Sequence, residues 1–207
     1  SVTSTAIVAS TSGLATSISN QSNVSCNGGS NGSGAVFASG GMTPYSYSWS
    51  PSGGTASAAS GLNAGVYTIT TTDMSGCVSL QQIIISQPSA LSVSMSNVPV
   101  TCFGGSNGSA SVIATGGTPG YTYSWTPSGG TTSTISSVSS GNYLVTVTDL
   151  AGCTTSSPVN VPQPTSISIL MTTQAAMCGM DNGSETANVS GGTGAYHYSW
   201  LPTLDTI

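Results

Sequence analysis

The five cysteines are the residues of this chain whose type and spacing best suit chemistry. Cys26, Cys102 and Cys178 follow one another at a constant interval, which defines a repeat period of about 76 residues. Cys77 and Cys153 are one such period apart, so each complete period has two cysteines, separated by 51 residues. Because a domain of this size has a small core and commonly needs a cross-link, we predict one disulfide within each period, Cys26–Cys77 and Cys102–Cys153, with Cys178 unpaired.

Two alternatives compete with that pairing. All five thiols could be free and buried, although closing a loop of this length stabilises a fold by about 4 kcal/mol, and cysteine use follows the redox compartment. A metal site is the other alternative, but the sequence has no Cys-x-x-Cys pair and a single histidine, which is fewer ligands than zinc sites use. We therefore predict no metal and no cofactor.

The acidic residues and the histidine lack the paired arrangement that general acid–base catalysis needs. Asp73 and Asp149 occupy equivalent positions ahead of a Gly-Cys turn, where we expect each carboxylate to accept hydrogen bonds from turn amides. A calcium site would need six to eight oxygens, and each period offers one such carboxylate. His197 replaces a serine or threonine of an aromatic segment, and we expect it to be exposed and without a nucleophile beside it. We predict that the chain is not an enzyme.

An aromatic segment recurs once in each period as "PYSYSW", "GYTYSW" and "AYHYSW". Its strict alternation predicts a strand with the rings on one face and the small polar residues on the other. We interpret the rings as core residues, since small sandwich cores need large side chains. The alternative is a platform on which sugars stack, and its candidate residues are Tyr45, Tyr47, Trp49, Tyr121, Tyr123 and Trp125.

Possible glycosylation sites are few. Asn31, Asn107 and Asn182 each begin the acceptor sequence Asn-Gly-Ser, but Asn-Gly also forms tight hairpin turns, and we prefer the turn. Thr206 lies in an Asp-Thr-Ile tripeptide that is similar to a known O-glycosylation motif.

The charge composition excludes several classes of partner. The chain has no Lys or Arg, and only 2% of its residues are charged. It therefore cannot neutralise nucleic-acid phosphates or bind an anionic membrane surface. The longest apolar run, Ile83 to Ile85, is too short to cross a bilayer. Ser1 opens directly into a strand-like segment, so we expect any targeting signal to have been removed or to lie elsewhere.

The period divides the chain into repeats rich in strand signals. Six or seven short alternating runs separated by Gly, Pro and Asn turns predict an all-β sandwich of about 76 residues. We expect residues 1–11 to be the last strand of a preceding repeat, 12–88 and 89–164 to be complete repeats, and 165–207 to be an incomplete third. The repeats meet at Gln-Pro sequences, and proline restricts bending, so we expect a stiff rod.

The unit resembles the SprB repeat of giant surface adhesins from gliding Bacteroidota. The resemblance rests on the combination of Cys26, "NGGSNGS", Gly-Gly, "PYSYSW", "SPSGG", "GLNAGVYTITTTDMSGC" and Gln87-Pro88, which recurs in the second period. More distantly, "YxW" and "GxYxVxVxD" are similar to PKD-type immunoglobulin-like domains. The resemblance implies tandem immunoglobulin-like sandwiches in a secreted, surface-anchored protein exported by the type IX route.

The function that this resemblance implies is adhesion or gliding. We therefore expect a structural and adhesive repeat region on the bacterial surface, with surface glycans or neighbouring copies of the chain as partners. Two alternatives stay open: a carbohydrate-binding array that uses the aromatic strand, and a subunit of a self-assembling extracellular fibre.

Overall fold

The computed structural model describes residues 13–201, and every regular element in that range is a β-strand. The first repeat contains β1 (Ala15–Ser22), β2 (Gly32–Ser39), β3 (Ser46–Ser50), β4 (Ala58–Leu62), β5 (Gly65–Thr72) and β6 (Val78–Ile85). The second contains β7 (Ser92–Val98), β8 (Gly108–Thr115), β9 (Thr122–Thr126), β10 (Thr134–Val138), β11 (Gly141–Thr148) and β12 (Thr154–Val161). The third contains β13 (Ser168–Gln174) and β14 (Ser184–Ser190). The strand predicted at 1–11 and the candidate Thr206 lie outside the described residues.

The strands of the first repeat form two antiparallel sheets, β1-β2-β4 and β3-β5-β6. An immunoglobulin constant-type sandwich has strands A, B, E and D in one sheet and C, F and G in the other. The observed order is that arrangement without strand D. The second repeat has the same order, β7-β8-β10 and β9-β11-β12. The prediction of tandem immunoglobulin-like β-sandwich repeats is confirmed.

The aromatic segment forms strand C of this sandwich, β3 in the first repeat. Tyr45 and Tyr47 are half-buried and Trp49 is buried, while the serines between them are exposed, as the alternation predicted. Trp49 donates a hydrogen bond from Nε1 to Ala56 O at 2.9 Å. The one polar atom of the indole is therefore satisfied, which allows the whole ring to enter the core.

Strand F, β5 in the first repeat, contributes a second landmark of the immunoglobulin fold. The hydroxyl of Tyr67 donates to Asn63 O at 3.1 Å, and that of Tyr143 on β11 donates to Ser139 O at 2.9 Å. A tyrosine on strand F that bonds back to the backbone a few residues upstream is the tyrosine corner of such domains. It fixes the turn through which the chain enters β5 and β11.

The core of each repeat is built from equivalent positions. In the first repeat Trp49 packs among aliphatic side chains of both sheets, and Ile69 and Ile83 are almost completely buried. The second repeat buries smaller side chains at several of the same places, such as Val145 for Ile69. The buried residues of the first cluster are Val24, Val36, Trp49, Ala59, Leu62, Tyr67, Ile69, Ile83 and Ile85.

The described chain divides into two compact units that do not follow the repeat boundaries. The first comprises the chain up to Ser92 with Ala114–Tyr121 and Thr148–Thr155. The second comprises Val93–Ile113, Thr122–Val147 and the chain from Ser156. Two loop regions of the second repeat thus belong to the first unit. The boundaries at 12–88, 89–164 and 165–207 stay a prediction from the sequence.

In the third repeat the aromatic segment differs from its equivalents in the two complete repeats. β13 and β14 pair in register, but residues 195–200 form no strand, and Trp200 is 54% exposed. In the first repeat β3 is an edge strand whose sheet neighbour is β5. No strand of the described chain pairs with residues 195–200.

The two complete repeats provide a matched test of core packing. Thr71 on β5 and Val147 on β11 occupy equivalent positions and are fully buried, but Thr71 Oγ1 has no hydrogen-bond partner. We expect Thr71→Val to stabilise the first repeat by about 1–3 kcal/mol, because a buried hydroxyl without a partner costs that much. The reverse change, Val147→Thr, should destabilise the second repeat. Amide hydrogen exchange in β5 and β11 measures both, and an unchanged or faster exchange of β5 in Thr71→Val would contradict the prediction.

Candidate functional site

The cysteines form a different disulfide from the predicted ones. Cys26 of the first repeat is bonded to Cys153 of the second, with 5.8 Å between the two Cα atoms. Both residues belong to the first compact unit. Cys77, Cys102 and Cys178 are exposed free thiols. The predicted pairs Cys26–Cys77 and Cys102–Cys153 are therefore wrong, and we call the observed bond the inter-repeat disulfide.

The strand order explains why a repeat cannot bond its own two cysteines. Cys77 immediately precedes β6, whereas the Cys26 loop lies at the other end of β6, where Val24 N donates to Ser86 O at 2.9 Å and Gly28 N donates to Gln87 Oε1 at 2.7 Å. β6 has eight residues, which is about 26 Å at 3.3 Å per residue. A disulfide requires Cα atoms about 4.4–6.8 Å apart. The two cysteines of one repeat thus lie at opposite ends of the sandwich.

A chain of hydrogen bonds connects the segment that follows β6 to the turn that holds Cys153. Gly117 N donates to Ser89 O at 2.9 Å, Thr118 N donates to Asp149 Oδ2 at 2.8 Å, and Cys153 N donates to Asp149 Oδ1 at 2.8 Å. All of these residues lie in the first compact unit. Gly117 has a φ of +59°, and an added Cβ would lie 2.4 Å from Asp149 Oδ2. Glycine is therefore required where this loop approaches the carboxylate.

The loop that holds Cys26 is fixed by an asparagine. Asn31 Oδ1 accepts a hydrogen bond from Ser25 N at 3.0 Å, and Asn31 Nδ2 donates to Ser25 Oγ at 2.7 Å. Asn107 makes the same two bonds to Thr101, and Asn182 Oδ1 accepts one from Met177 N at 2.8 Å. Glycosylation of these three asparagines stays a prediction, and in the structure their amides bridge the cysteine loop.

The preferred prediction of an Asn-Gly hairpin turn is wrong. The connection between β1 and β2 runs from 23 to 31, so Asn31 is its last residue and Gly32 already begins β2. Gly32 is needed for packing instead, because an added Cβ would lie 2.6 Å from Ile85 Cγ2. The dipeptide therefore ends a cysteine loop and starts a closely packed strand.

The aspartates behave as the sequence predicted. Asp73 and Asp149 are buried, and their oxygens accept hydrogen bonds from turn amides. The Ser75 hydroxyl, followed by the Met42 amide, holds the pKa of Asp73 below its usual value. The Thr118 amide, followed by those of Cys153 and Ala151, does the same for the pKa of Asp149. These donors occupy the carboxylate oxygens that a cation would use.

The rings proposed for sugar contact are largely interior. Trp49 and Trp125 are buried, so they cannot stack on a sugar in the folded repeats, and that part of the alternative is wrong. Tyr45, Tyr47, Tyr121 and Tyr123 are half-buried. The hydroxyls of Tyr45 and Tyr121 donate to Gly40 O and Gly116 O, both at 2.6 Å. Only the edges of these four tyrosines remain for contact.

The described residues of the third repeat line an open apolar groove. The groove is lined by side chains of β13 and β14 and by the aromatic segment, including Ile169, Met171, Val189, Tyr198 and Trp200. Its volume is about 580 Å³. His197 is exposed, as predicted. Within residues 13–201, no group of three or more His, Cys, Asp or Glu side chains could hold a metal ion.

A comparison with known protein families finds the same repeat family that the sequence motifs resemble. A family model described as the SprB repeat matches residues 18–54, 96–131 and 172–203, together just over half of the chain. The chain belongs to the SprB repeat family. In the first repeat the matched residues run from β1 through β3, so the SprB pattern includes the first cysteine loop and the aromatic strand. No curated protein matches the sequence.

Solved structures with some likeness to this SprB-repeat chain share little sequence with it. A Dscam structure on isoform specificity is 16% identical with a TM-score of 0.33, covering 75% of this chain and 47% of that one. Domains 1–6 of the surface layer protein SbsC are 13% identical with a TM-score of 0.31, covering 88% and 36%. The amphioxus IgVJ-C2 molecule is 15% identical with a TM-score of 0.29, covering 59% and 90%. The SprB-repeat chain thus spans about half or less of the Dscam and SbsC chains, and its fold assignment rests on strand order.

Among the described residues, no helix is long and apolar enough to span a bilayer.

The buried aspartates predict how stability depends on pH. Because the folded-state pKa of Asp149 is lowered, its contribution is complete above the unfolded-state pKa, near 3.8, and is lost as the pH falls through the folded value. Asp149→Asn should therefore destabilise the fold at pH 7 and flatten the dependence of stability on pH below 4. Urea unfolding between pH 2 and pH 7 measures both effects. Asp181→Asn, at an exposed position, is the control, and an unaltered acid slope in Asp149→Asn would contradict the argument.

Proposed function

We propose that this SprB-repeat chain is a structural and adhesive segment of a bacterial cell-surface protein, and that it works outside the cell by extension and contact. The inter-repeat disulfide supports the location, because disulfides persist in oxidising compartments and are rare in the cytosol. A chain without Lys or Arg also offers no site to trypsin-like proteases. Adhesion or gliding is the role that SprB-type repeats suggest for such a segment.

The observation that carries the proposal is the length of chain enclosed by the inter-repeat disulfide. Cys26 and Cys153 are 127 residues apart, and the strands β2 to β11 lie between them. A tensile force applied to the two ends of the chain is transmitted by the sulfur–sulfur bond and not by those strands. Only elements outside the bond, such as β1 and β12, can then be peeled from their sheets. This arrangement suits a segment that transmits tension between a cell and a surface.

Stretching single molecules tests the proposal directly. Reduction should lengthen the unfolded chain by about 420–460 Å, because the 127 residues released by the bond extend by about 3.3–3.6 Å each. Force spectroscopy on the full chain, held by enzymatically attached terminal tags, measures this difference. A Cys26→Ser/Cys153→Ser double variant should match the reduced chain, and Cys178→Ser should match the oxidised chain. Equal extension before and after reduction would remove the support for a mechanical role.

Neighbouring copies of the chain are one class of partner for the contact role, and surface glycans are the other. An observation on the first repeat favours copies. The outer face of β5 and β6 exposes Val66, Val78, Leu80 and Ile84. The second repeat has Asn142, Thr154, Ser156 and Asn160 at the equivalent positions. At these four positions one repeat thus presents apolar side chains where the other presents polar ones, and this difference suits lateral contact through the first repeat.

The second repeat supplies the residues with which to test that face. Leu80→Ser with Ile84→Asn gives the first repeat the side chains of the second at both places. We expect at least a tenfold weaker self-association, since each buried apolar side chain stabilises a contact by about 1.5–3 kcal/mol. Sedimentation velocity over a range of concentrations measures it, with Ser156→Leu/Asn160→Ile as the converse. Equal association of variant and parent would exclude this face and leave surface glycans as the partner to test on arrays.

A further inference from the structure

The two unbonded cysteines of the complete repeats occupy the same local structures as the two bonded ones. Cys102 is the equivalent of Cys26 one period later, and Cys77 is the equivalent of Cys153 one period earlier. Only Cys26 and Cys153 are joined, across 127 residues, which is one full period plus the spacing of 51 within a repeat. The bond thus joins the first cysteine of one repeat to the second cysteine of the next.

The loop around Cys102 repeats most hydrogen bonds of the loop around Cys26, except that Phe103 replaces Asn27, whose Nδ2 donates to Pro88 O at 3.0 Å. Gly29 N donates to Cys26 O at 2.9 Å, and Gly105 N donates to Cys102 O at 3.0 Å. A glutamine at the end of the repeat accepts from the loop in both cases, with Gly28 N to Gln87 Oε1 at 2.7 Å and Gly104 N to Gln163 Oε1 at 2.8 Å. Cys102 is exposed. Its sulfur is therefore accessible, and its loop has the conformation of the loop that holds the disulfide-bonded Cys26.

The turn around Cys77 matches the turn around Cys153 in the same way. Cys77 N donates to Asp73 Oδ1 at 2.9 Å, and Cys153 N donates to Asp149 Oδ1 at 2.8 Å. Asp73 N donates back to Cys77 O at 3.0 Å, and Asp149 N donates to Cys153 O at 2.9 Å. Cys77 is also exposed. Cys77 and Cys102 thus lie in the same local backbone structures as Cys153 and Cys26, which are bonded.

We infer that Cys77 and Cys102 are attachment sites for neighbouring SprB-type repeats, so that successive repeats are joined by a ladder of disulfides. Cys102 would receive the second cysteine of the repeat that follows it, and Cys77 the first cysteine of a repeat that precedes it. A cysteine as far beyond Cys102 as Cys153 is beyond Cys26 would fall after Ile207. This inference goes beyond the proposed function, because it concerns how repeats are connected and not what they contact.

Formation of each disulfide between successive repeats, which we call a rung of the ladder, needs an oxidant, and we specify oxidised glutathione. The thiolate of Cys102 attacks one glutathione sulfur and expels a reduced glutathione. The thiolate of the partner cysteine then attacks the Cys102 sulfur of the mixed disulfide and expels the second glutathione. Two thiols lose two protons and two electrons, and one glutathione disulfide becomes two glutathione thiols.

The ladder can be tested by inserting a further complete repeat after the second repeat, which contains Cys102. A second copy of residues 89–164, inserted after Pro164, places a copy of Cys153 at the same separation from Cys102 as the 127 residues between Cys26 and Cys153. The full chain with this insertion is refolded in a glutathione buffer. Free thiols are then blocked, and the protein is unfolded and cut on the amino side of its aspartates without reduction. The inserted sequence is that of a repeat which already folds in the parent.

The aspartates divide the cysteines among four fragments, and a Cys178→Ser variant of the inserted chain shows whether the fourth fragment is bonded through the copy of Cys153. The fragment 1–72 contains Cys26, and 73–148 contains Cys77 and Cys102. The next fragment begins at Asp149 and contains Cys153 with the copy of Cys102, and the one after it contains the copy of Cys153 with Cys178. We expect the first fragment linked to the third and the second to the fourth. Bonds within repeats would instead link the first fragment to the second, the second to the third and the third to the fourth.

Two single variants decide which thiol forms the new rung. Cys102→Ser should abolish the link between the second and fourth fragments, whereas Cys77→Ser should leave it intact. A link from the second fragment to the third, or a Cys102 thiol that stays free while the Cys26–Cys153 link forms, would overturn the inference. Disulfide-linked dimers of the parent chain through Cys77 and Cys102 would also overturn it in favour of pairing between copies. None of these outcomes depends on adhesion or on force.

Discussion

The constraint on which this structure depends is the length of an antiparallel strand. The first cysteine of a repeat lies beside the end of β6, and the second lies beside its beginning. Eight residues of extended chain keep them apart, so a bond can form only between repeats. The choice of cysteine partner and the enclosure of β2 to β11 in one disulfide loop follow from this separation.

The fold could be predicted from the sequence because the alternation of apolar and polar residues indicates which face of each strand is buried. The residues from Tyr45 to Trp49 behave as predicted in the first repeat, since β5 lies beside them. Residues 195–200 have nearly the same sequence and form no strand. The alternation thus predicts which face a strand buries, and in the first repeat the segment pairs with β5.

The disulfide could not be predicted by counting cysteines per period. Two cysteines per period suggest a bond within the repeat, but the count does not say whether the two thiols lie close together in the fold. The strand count held the needed information. Cys26 follows β1, and four strands separate it from Cys77, which places the two at opposite ends once the sheet order is known. The role of Asn31 was missed for a related reason. Its amide closes a loop through Ser25, six residues earlier in the chain, and the Asn-Gly dipeptide alone is equally typical of a hairpin.

A fold without cations must neutralise its buried charges by other means, and the second cysteine turn shows how. The chain has no Lys or Arg, so no such side chain can balance the carboxylates of Asp73 and Asp149. The Ser75 hydroxyl and backbone amides do so for Asp73, and backbone amides do so for Asp149. These hydrogen bonds outweigh the cost of burial enough to lower both pKa values. Each carboxylate thereby fixes the amide of the cysteine four residues later. The acid that stabilises the turn also orients the thiol, and the geometry of the inter-repeat disulfide is therefore set by the backbone of a turn rather than by an ion pair.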